Sequence, residues 1–151
     1  MPRPQAHQSG APPTDSTAAI RELRRRTLDT RAGFEAVLDN AEMEFRPIAQ
    51  RFLGLHMAHV AALDAILAAR GVDPEHTDSI TARINRAAVS ARSLFDPVDA
   101  RILDRVRNGE WHVMEAFDAV LATDLSDEER DRIAGMRGGL DRLLAGVASR
   151  R

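Results

Sequence analysis

Apolar residues recur every three or four positions along most of this chain, which is the period of an α-helix with one buried face. Four such apolar seams can be traced, and no stretch shows the strict alternation of a half-buried strand. The pattern therefore predicts an all-α fold with four long helices. Their seams comprise Ile20, Leu23, Thr27, Phe34, Leu38 and Ala41; Ile48, Phe52, Leu55, Val60, Leu63, Ile66 and Leu67; Val98, Ile102, Val106, Gly109, Val113, Phe117 and Val120; and Ile133, Met136, Leu140, Leu143, Leu144 and Val147.

Capping and breaking residues place the ends of these helices. Asp15 or Ser16 can cap the first helix, and Pro47 suits the first turn of the second because its missing N–H needs no partner there. Gly71 predicts the end of the second helix. The dipeptide at 96–97 (Asp-Pro) marks the start of the third, and Ser126 with the glutamate three residues later forms a capping box for the fourth.

The lengths of the connections predict the topology. Short loops join the first two helices and the last two, so each pair should form an antiparallel hairpin. About 25 residues separate the hairpins, and over 77–96 they carry a weak helical period of their own. Two hairpins linked by one long crossover is the arrangement of a ferritin-like four-helix bundle, here with a short helix in the crossover. We expect a disordered tail over 1–14 and the bundle over 15–149.

Composition excludes several classes of function. The chain has no Cys, which rules out disulfides, thiolate metal sites and a cysteine nucleophile. All 21 basic residues are Arg, but they are interspersed with 23 acidic residues, so a nucleic-acid-binding face is not expected. No signal peptide is recognisable, and no apolar stretch approaches the roughly 20 residues that span a bilayer. We therefore expect a cytoplasmic protein with no nucleic-acid or membrane partner.

Two histidines on the buried side of the second helix are the candidate chemistry. His56 and His59 are one turn apart, as metal ligands in a bundle core would be, and Glu110 lies at the edge of the third seam. Glu42, off the first seam, could be a fourth donor. Three interpretations stay open. The histidines are core residues that hydrogen-bond a carboxylate, or His56, His59 and Glu110, with Glu42 as a possible fourth donor, hold one divalent ion such as zinc or iron, or they belong to a di-iron centre whose donor set is incomplete.

Trp111 lies almost opposite the seam of its helix, with Met114 toward the same side. Either the crossover segment over 80–94 covers it, or it anchors an interface with another protein molecule.

Several stretches resemble the bacterial ferritin-like bundles that are grouped as a domain of unknown function. They are residues 29–36 (DTRAGFEA), 59–63 (HVAAL) with 70–74 (RGVDP), 79–94, and 102–103, 109–110 and 124–125. The resemblance implies a ferritin-like fold and a stress-related bacterial protein whose activity is not established. It also implies a carboxylate near Ala62 and a histidine near Leu140, and both positions are apolar in this chain.

Two functions remain after these exclusions. The favoured one is a non-catalytic ferritin-like bundle that acts by association, as a homo-oligomer or with a protein partner, with a degraded metal site and no cofactor. The alternative is a metal-binding relative with iron- or oxygen-handling activity of the oxidase or ferroxidase type. An enzymatic role is left undecided by the residues, with the balance against it.

Overall fold

The computed structural model describes residues 15–40, 45–74 and 100–148, and these ranges contain four helices and no strand. The helices are α1 (Ser16–Asn40), α2 (Arg46–Ala69), α3 (Ala100–Leu121) and α4 (Asp127–Ala148). The all-α prediction is thereby confirmed. The predicted tail over 1–14, the short crossover helix over 77–96 and the Asp-Pro cap at 96–97 lie outside the described residues.

Hydrogen bonds or backbone angles confirm most of the predicted helix ends that the structure describes. The Thr17 N–H donates to Asp15 Oδ1 at 3.0 Å, and Pro47 lies in the first turn of α2. The capping box is reciprocal, because the Glu129 N–H donates to Ser126 Oγ and the Ser126 N–H donates to Glu129 Oε1, each at 3.1 Å. Gly71 adopts φ +75°, the left-handed conformation that stops α2.

Contacts at one end of the bundle fix the directions of three helices. The Arg70 guanidinium, just after α2, donates to Ser16 Oγ at 2.7 Å and to Glu129 Oε2 at 2.7 Å. The end of α2 therefore meets the beginnings of α1 and α4. The Arg70 hydrogen bond also keeps the pKa of Glu129 below its ordinary value.

The packing order completes the topology. α1 packs against α2 and α3, and α4 packs against α3 and α2. Near the other end of the α1–α2 pair the rings of Phe34 and Phe52 stack at 5.1 Å, as expected for antiparallel helices. An Arg137–Asp118 ion pair of 2.7 Å joins α4 to α3 within the second hairpin. Since α3 runs antiparallel to α4, it runs parallel to α2, and the two face each other across the interior.

Most predicted seam residues that the structure describes lie in the core or pack against it, whereas the side chains of Ala41, Val98 and Ile102 lie outside the described residues. The largest fully buried side chains include Phe52 and Phe117, with Ile20, Leu23, Leu63, Leu67, Ile133 and Leu140 around them. The α1–α2 interface also contains an ion pair that the apolar pattern did not predict, between the buried Arg24 and Asp64. Removing one partner of such a pair would leave a poorly hydrated charge.

Helix α2 is more apolar than its seam alone suggested. Among the described residues it is the helix that is long and apolar enough, by length and composition, to span a bilayer, with a mean hydropathy of 1.6. The expectation that no stretch reaches this limit was therefore wrong. It was based on the seam, whereas the exposed side of α2 is also rich in small apolar residues, namely Gly54, Ala58, Ala61, Ala65 and Ala68. Within the bundle, eight residues of α2 are buried against its neighbours.

Candidate functional site

The two histidines of α2 lie inside the bundle. His56 is completely buried and His59 is 5% exposed. Their i, i+3 spacing puts them one above the other on the inner face of the helix. The ring centroids are 6.3 Å apart and nearly perpendicular, so the two imidazoles are neighbours but do not hydrogen-bond each other in this geometry.

Glu110 approaches His56 from the facing helix. His56 Nε2 and Glu110 Oε1 share a hydrogen bond of 2.7 Å, and both side chains are completely buried. Sequence reasoning placed Glu110 at the edge of the third seam, whereas the structure places it fully inside. The hydrogen bond connects α2 and α3, the two helices that face each other across the core, so it is a polar link through the centre of the bundle.

Aromatic rings surround this polar link. His56 stacks on Phe34 with ring centroids 5.8 Å apart, and Phe52 lies on the same side at 6.5 Å. His59 meets the edge of Phe117 at 5.7 Å. These rings keep water away, and a hydrogen bond in such surroundings is stronger than at the surface. The same surroundings make any unpaired polar atom costly.

Three polar atoms of the cluster are left unpaired by the described residues. They are His56 Nδ1, His59 Nδ1 and Glu110 Oε2, each buried and without a hydrogen-bond partner there. An orphaned buried group costs about 1–3 kcal/mol. Buried groups of this kind are commonly satisfied by an ordered water or an ion.

The buried imidazole of His59 is held neutral. Burial, and after it the electrostatic repulsion from His56, lowers the pKa of His59 from 6.5 to about 4. At neutral pH its ring nitrogens are consequently one N–H donor and one lone-pair acceptor. A neutral imidazole is the form that binds metal ions, but it is equally the form that packs well among aromatic rings.

The donor set does not fit a two-metal centre. The family resemblance implies an imidazole near position 140 and a carboxylate near position 62, but Leu140 is completely buried in α4 and neither Leu140 nor Ala62 has a side-chain atom that can ligate a metal. The fourth predicted donor, Glu42, lies outside the described residues. In the three described ranges no group of three His, Asp or Glu side chains converges on a point that could hold a metal ion.

The predicted interface residues differ from each other in exposure. Trp111 is 64% exposed, and its Nε1–H donates to Glu115 Oε1 at 2.9 Å. Met114 is only 9% exposed and packs with the core, but one edge of it forms the floor of a groove between α3 and α4. The segment 80–94, which was one possible cover for Trp111, lies outside the described residues. We refer to this groove, lined by Trp111, Met114, Leu144 and Ala145, as the tryptophan groove.

One set of contacts near the site was missed by sequence reasoning. The apolar pattern gives no role to Arg24 or Arg26, yet Arg24 is buried against α2 and the Arg26 Nη1–H donates to the backbone oxygen of His112 in α3 at 2.9 Å. A usable signal was present, because Arg24 lies four residues after Ile20 and therefore beside the buried seam of α1.

Comparison with known proteins gives one match. The family described as Domain of unknown function (DUF2383) matches residues 15–123. The matched region contains α1, α2 and α3 and thus every described residue of the histidine–glutamate cluster, whereas α4 follows it. No curated protein and no solved structure gives a significant match.

Proposed function

This chain belongs to the DUF2383 family, and on that premise we propose that it is a ferritin-like bundle that acts by pairing with a second copy of itself. Its buried histidine–glutamate cluster is then a structural link derived from a degraded metal site. The parallel directions of α2 and α3 support the ferritin-like assignment, since the chain must connect opposite ends of the bundle between them.

The exposure of Trp111 carries the proposal. A tryptophan is the largest apolar side chain, and 64% of this one is exposed beside an apolar groove. Burying the exposed part would contribute on the order of 3 kcal/mol at about 25 cal/mol per Å². Tryptophan is also among the residue types most enriched at energetic centres of protein interfaces.

The charges along the tryptophan groove favour a second copy as the occupant. Its lining includes two arginines, Arg107 and Arg137, and three carboxylates, Glu115, Asp118 and Asp141. In a two-fold symmetric dimer the same surface meets itself, so a charged surface is self-complementary when it presents both signs of charge. A groove of one sign would instead repel its own copy.

The cluster at the centre of the bundle supports a non-catalytic role. His56 and Glu110 hydrogen-bond each other and are enclosed by aromatic rings. The two positions where the family resemblance implies further metal donors are occupied by Ala62 and Leu140, which cannot ligate a metal. The His56–Glu110 hydrogen bond connects α2 and α3 across the core, beside the ring contact of His59 with Phe117. A role in holding α2 and α3 together needs no substrate and no cofactor.

Light scattering after size-exclusion chromatography tests the pairing. The unmodified protein is expected to have the mass of a dimer, and Trp111→Ala should raise the dissociation constant at least about thirtyfold, as loss of a strong interface anchor does. Met57→Ala is the matched control, because Met57 is 49% exposed on α2 and does not line the tryptophan groove. A monomeric unmodified protein, or equal masses for both variants, would contradict the proposal.

A second candidate, binding of one divalent ion, is favoured by the three orphaned atoms of the cluster. His56, His59 and Glu110 do not converge on one point in the described structure, so they would have to rearrange to become the ligands. A site with three protein ligands can hold one zinc-like ion. Metal analysis of protein purified without added metal tests this candidate. About one ion per chain, lost in His59→Ala and kept in His112→Ala, would favour it over a purely structural cluster.

A further inference from the structure

A second groove, on a different face from the tryptophan groove, combines apolar walls with unpaired positive charge. It lies between α2 and α4 and has a volume of about 630 Å³. We call it the arginine groove and define it by Arg51, Gly54 and Leu55 of α2 and Arg142, Leu143 and Val147 of α4. Its volume lies within the range of small-molecule sites, about 300–1,000 Å³.

The two arginines of this groove have no carboxylate partner within the described ranges. Most other arginines of the bundle do, as Arg24, Arg70 and Arg137 show. Among the described residues, none of those lining the arginine groove is acidic. Two guanidinium groups with no acid beside them in that part of the chain form a site of positive potential, and the planar guanidinium is suited to two-point contact with a carboxylate.

The helix register places Arg51 and Arg142 within about one helical turn of each other along the groove. A side chain at Gly139 would meet Leu55 at 3.8 Å, so these two positions lie opposite each other. The Arg142 side chain turns back toward the level of Gly138 and Gly139, and its Nη1 lies 3.4 Å from the position that a Cβ on Gly138 would occupy. Arg51 is one turn from Leu55, about 6 Å along the axis. Both arginines can therefore reach a single anionic group.

The remaining lining is apolar and long enough for a chain of methylene groups. It extends on α2 from Ile48 to Ala58, which is about 15 Å at 1.5 Å per residue. Leu55, Leu143 and Val147 form its walls, and Gly54 leaves its floor open because nothing lies within 4 Å of where its side chain would be. A polar ligand would gain nothing from these walls.

We propose that the arginine groove binds a free single-chain aliphatic carboxylate, one molecule per chain. Arg51 and Arg142 contact the carboxylate, and the apolar walls cover the aliphatic chain. This inference is independent of the pairing through Trp111, because the two grooves have no lining residue in common.

Isothermal titration calorimetry of the full chain with sodium dodecanoate, below its micelle concentration, tests the proposal. We expect saturable binding of one molecule per chain. Acetate, which has the same headgroup without the chain, should not bind measurably. Dodecyltrimethylammonium, which has the same chain with a positive headgroup, should bind at least about tenfold more weakly.

Variants distinguish the groove from general surface adsorption. Arg51→Gln and Arg142→Gln should each weaken dodecanoate binding about tenfold, through loss of a charge-assisted contact. Arg132→Gln is the matched control, since Arg132 is an exposed arginine of α4 that does not line the groove. Gly54→Leu fills the groove without changing any charge and should also weaken binding. Circular dichroism establishes that each variant is folded.

Three results would overturn the proposal. They are no saturable binding of dodecanoate, equal binding by the Arg51→Gln and Arg132→Gln variants, and equal binding of the cationic detergent. Trp111→Ala should bind dodecanoate as the unmodified protein does. A failure of this proposal is thereby distinguishable from a failure of the pairing proposal, which is read from the mass of the protein.

Discussion

Replacing Glu110 by leucine measures what the buried link contributes to the bundle. The change removes the 2.7 Å hydrogen bond and leaves His56 Nε2 without a partner in an aromatic cavity. The lost bond and the orphaned nitrogen each cost about 1–3 kcal/mol. The change also removes Glu110 Oε2, which has no partner among the described residues, and this regains a similar amount of free energy. We therefore expect a net loss of about 2–3 kcal/mol in the free energy of unfolding at pH 7.

The coupling between the two residues is the more specific quantity. In the double variant His56→Leu/Glu110→Leu both polar partners are gone, and apolar replacement of a whole buried pair is often close to neutral. The double variant should be more stable than the sum of the single losses predicts, by at least about 1.5 kcal/mol. Urea unfolding of the four proteins, followed by circular dichroism, gives these values.

Two results would refute this reasoning. If Glu110→Leu is as stable as the unmodified protein, the cost of burying the two polar groups cancels the stability that their hydrogen bond contributes. If the losses of His56→Leu and Glu110→Leu are simply additive, the two residues do not act as a pair.

Three further predictions follow from the described residues. The free energy of unfolding should fall by on the order of 3 kcal/mol between pH 6.5 and 4, because His59 has a lower pKa in the fold, about 4, than its ordinary 6.5. This contribution to stability is fully present above pH 6.5 and is lost as the pH falls toward 4. In urea unfolding over the same pH range, the free energy of unfolding of His59→Leu should fall less than that of the unmodified protein. In thermal melts, Gly135→Ala should be more stable by about 0.5–1 kcal/mol, since nothing surrounds that exposed helical position. Gly71→Ala should be less stable by about 1 kcal/mol, because Gly71 has a positive φ. Anaerobically purified protein should contain fewer than two irons per chain, since the family resemblance implies ligands near positions 140 and 62 and Leu140 and Ala62 cannot ligate iron. Two irons per chain, lost in His59→Ala, would contradict this.

The fold was largely predictable because its signals are local. Seam residues such as Phe52, Phe117 and Leu140 follow a period that is visible in short windows, and Ser126 with Glu129 forms a cap within four residues. Each of these elements could be recognised without knowledge of the others.

The site was less predictable because its contacts join distant parts of the chain. Periodicity placed Glu110 at the edge of a seam, and only the packing of α3 opposite α2 brings it onto His56. The helix period groups Met114 with Trp111, but Met114 is only 9% exposed because it packs in the core cluster. The arginine groove exists only where α2 meets α4, so neither Arg51 nor Arg142 is distinguished by its sequence neighbours.

The fluorescence of Trp111 tests the pairing most directly, because the chain has one Trp and no Tyr. The emission spectrum and its quenching by acrylamide would be recorded over a dilution series from tens of micromolar to nanomolar. As the protein is concentrated, pairing should bury the indole of Trp111. Its emission should shift to shorter wavelength and its quenching by acrylamide should decrease, both over the concentration range in which the measured mass rises from monomer to dimer. Emission typical of a solvent-exposed tryptophan at every concentration would contradict the account.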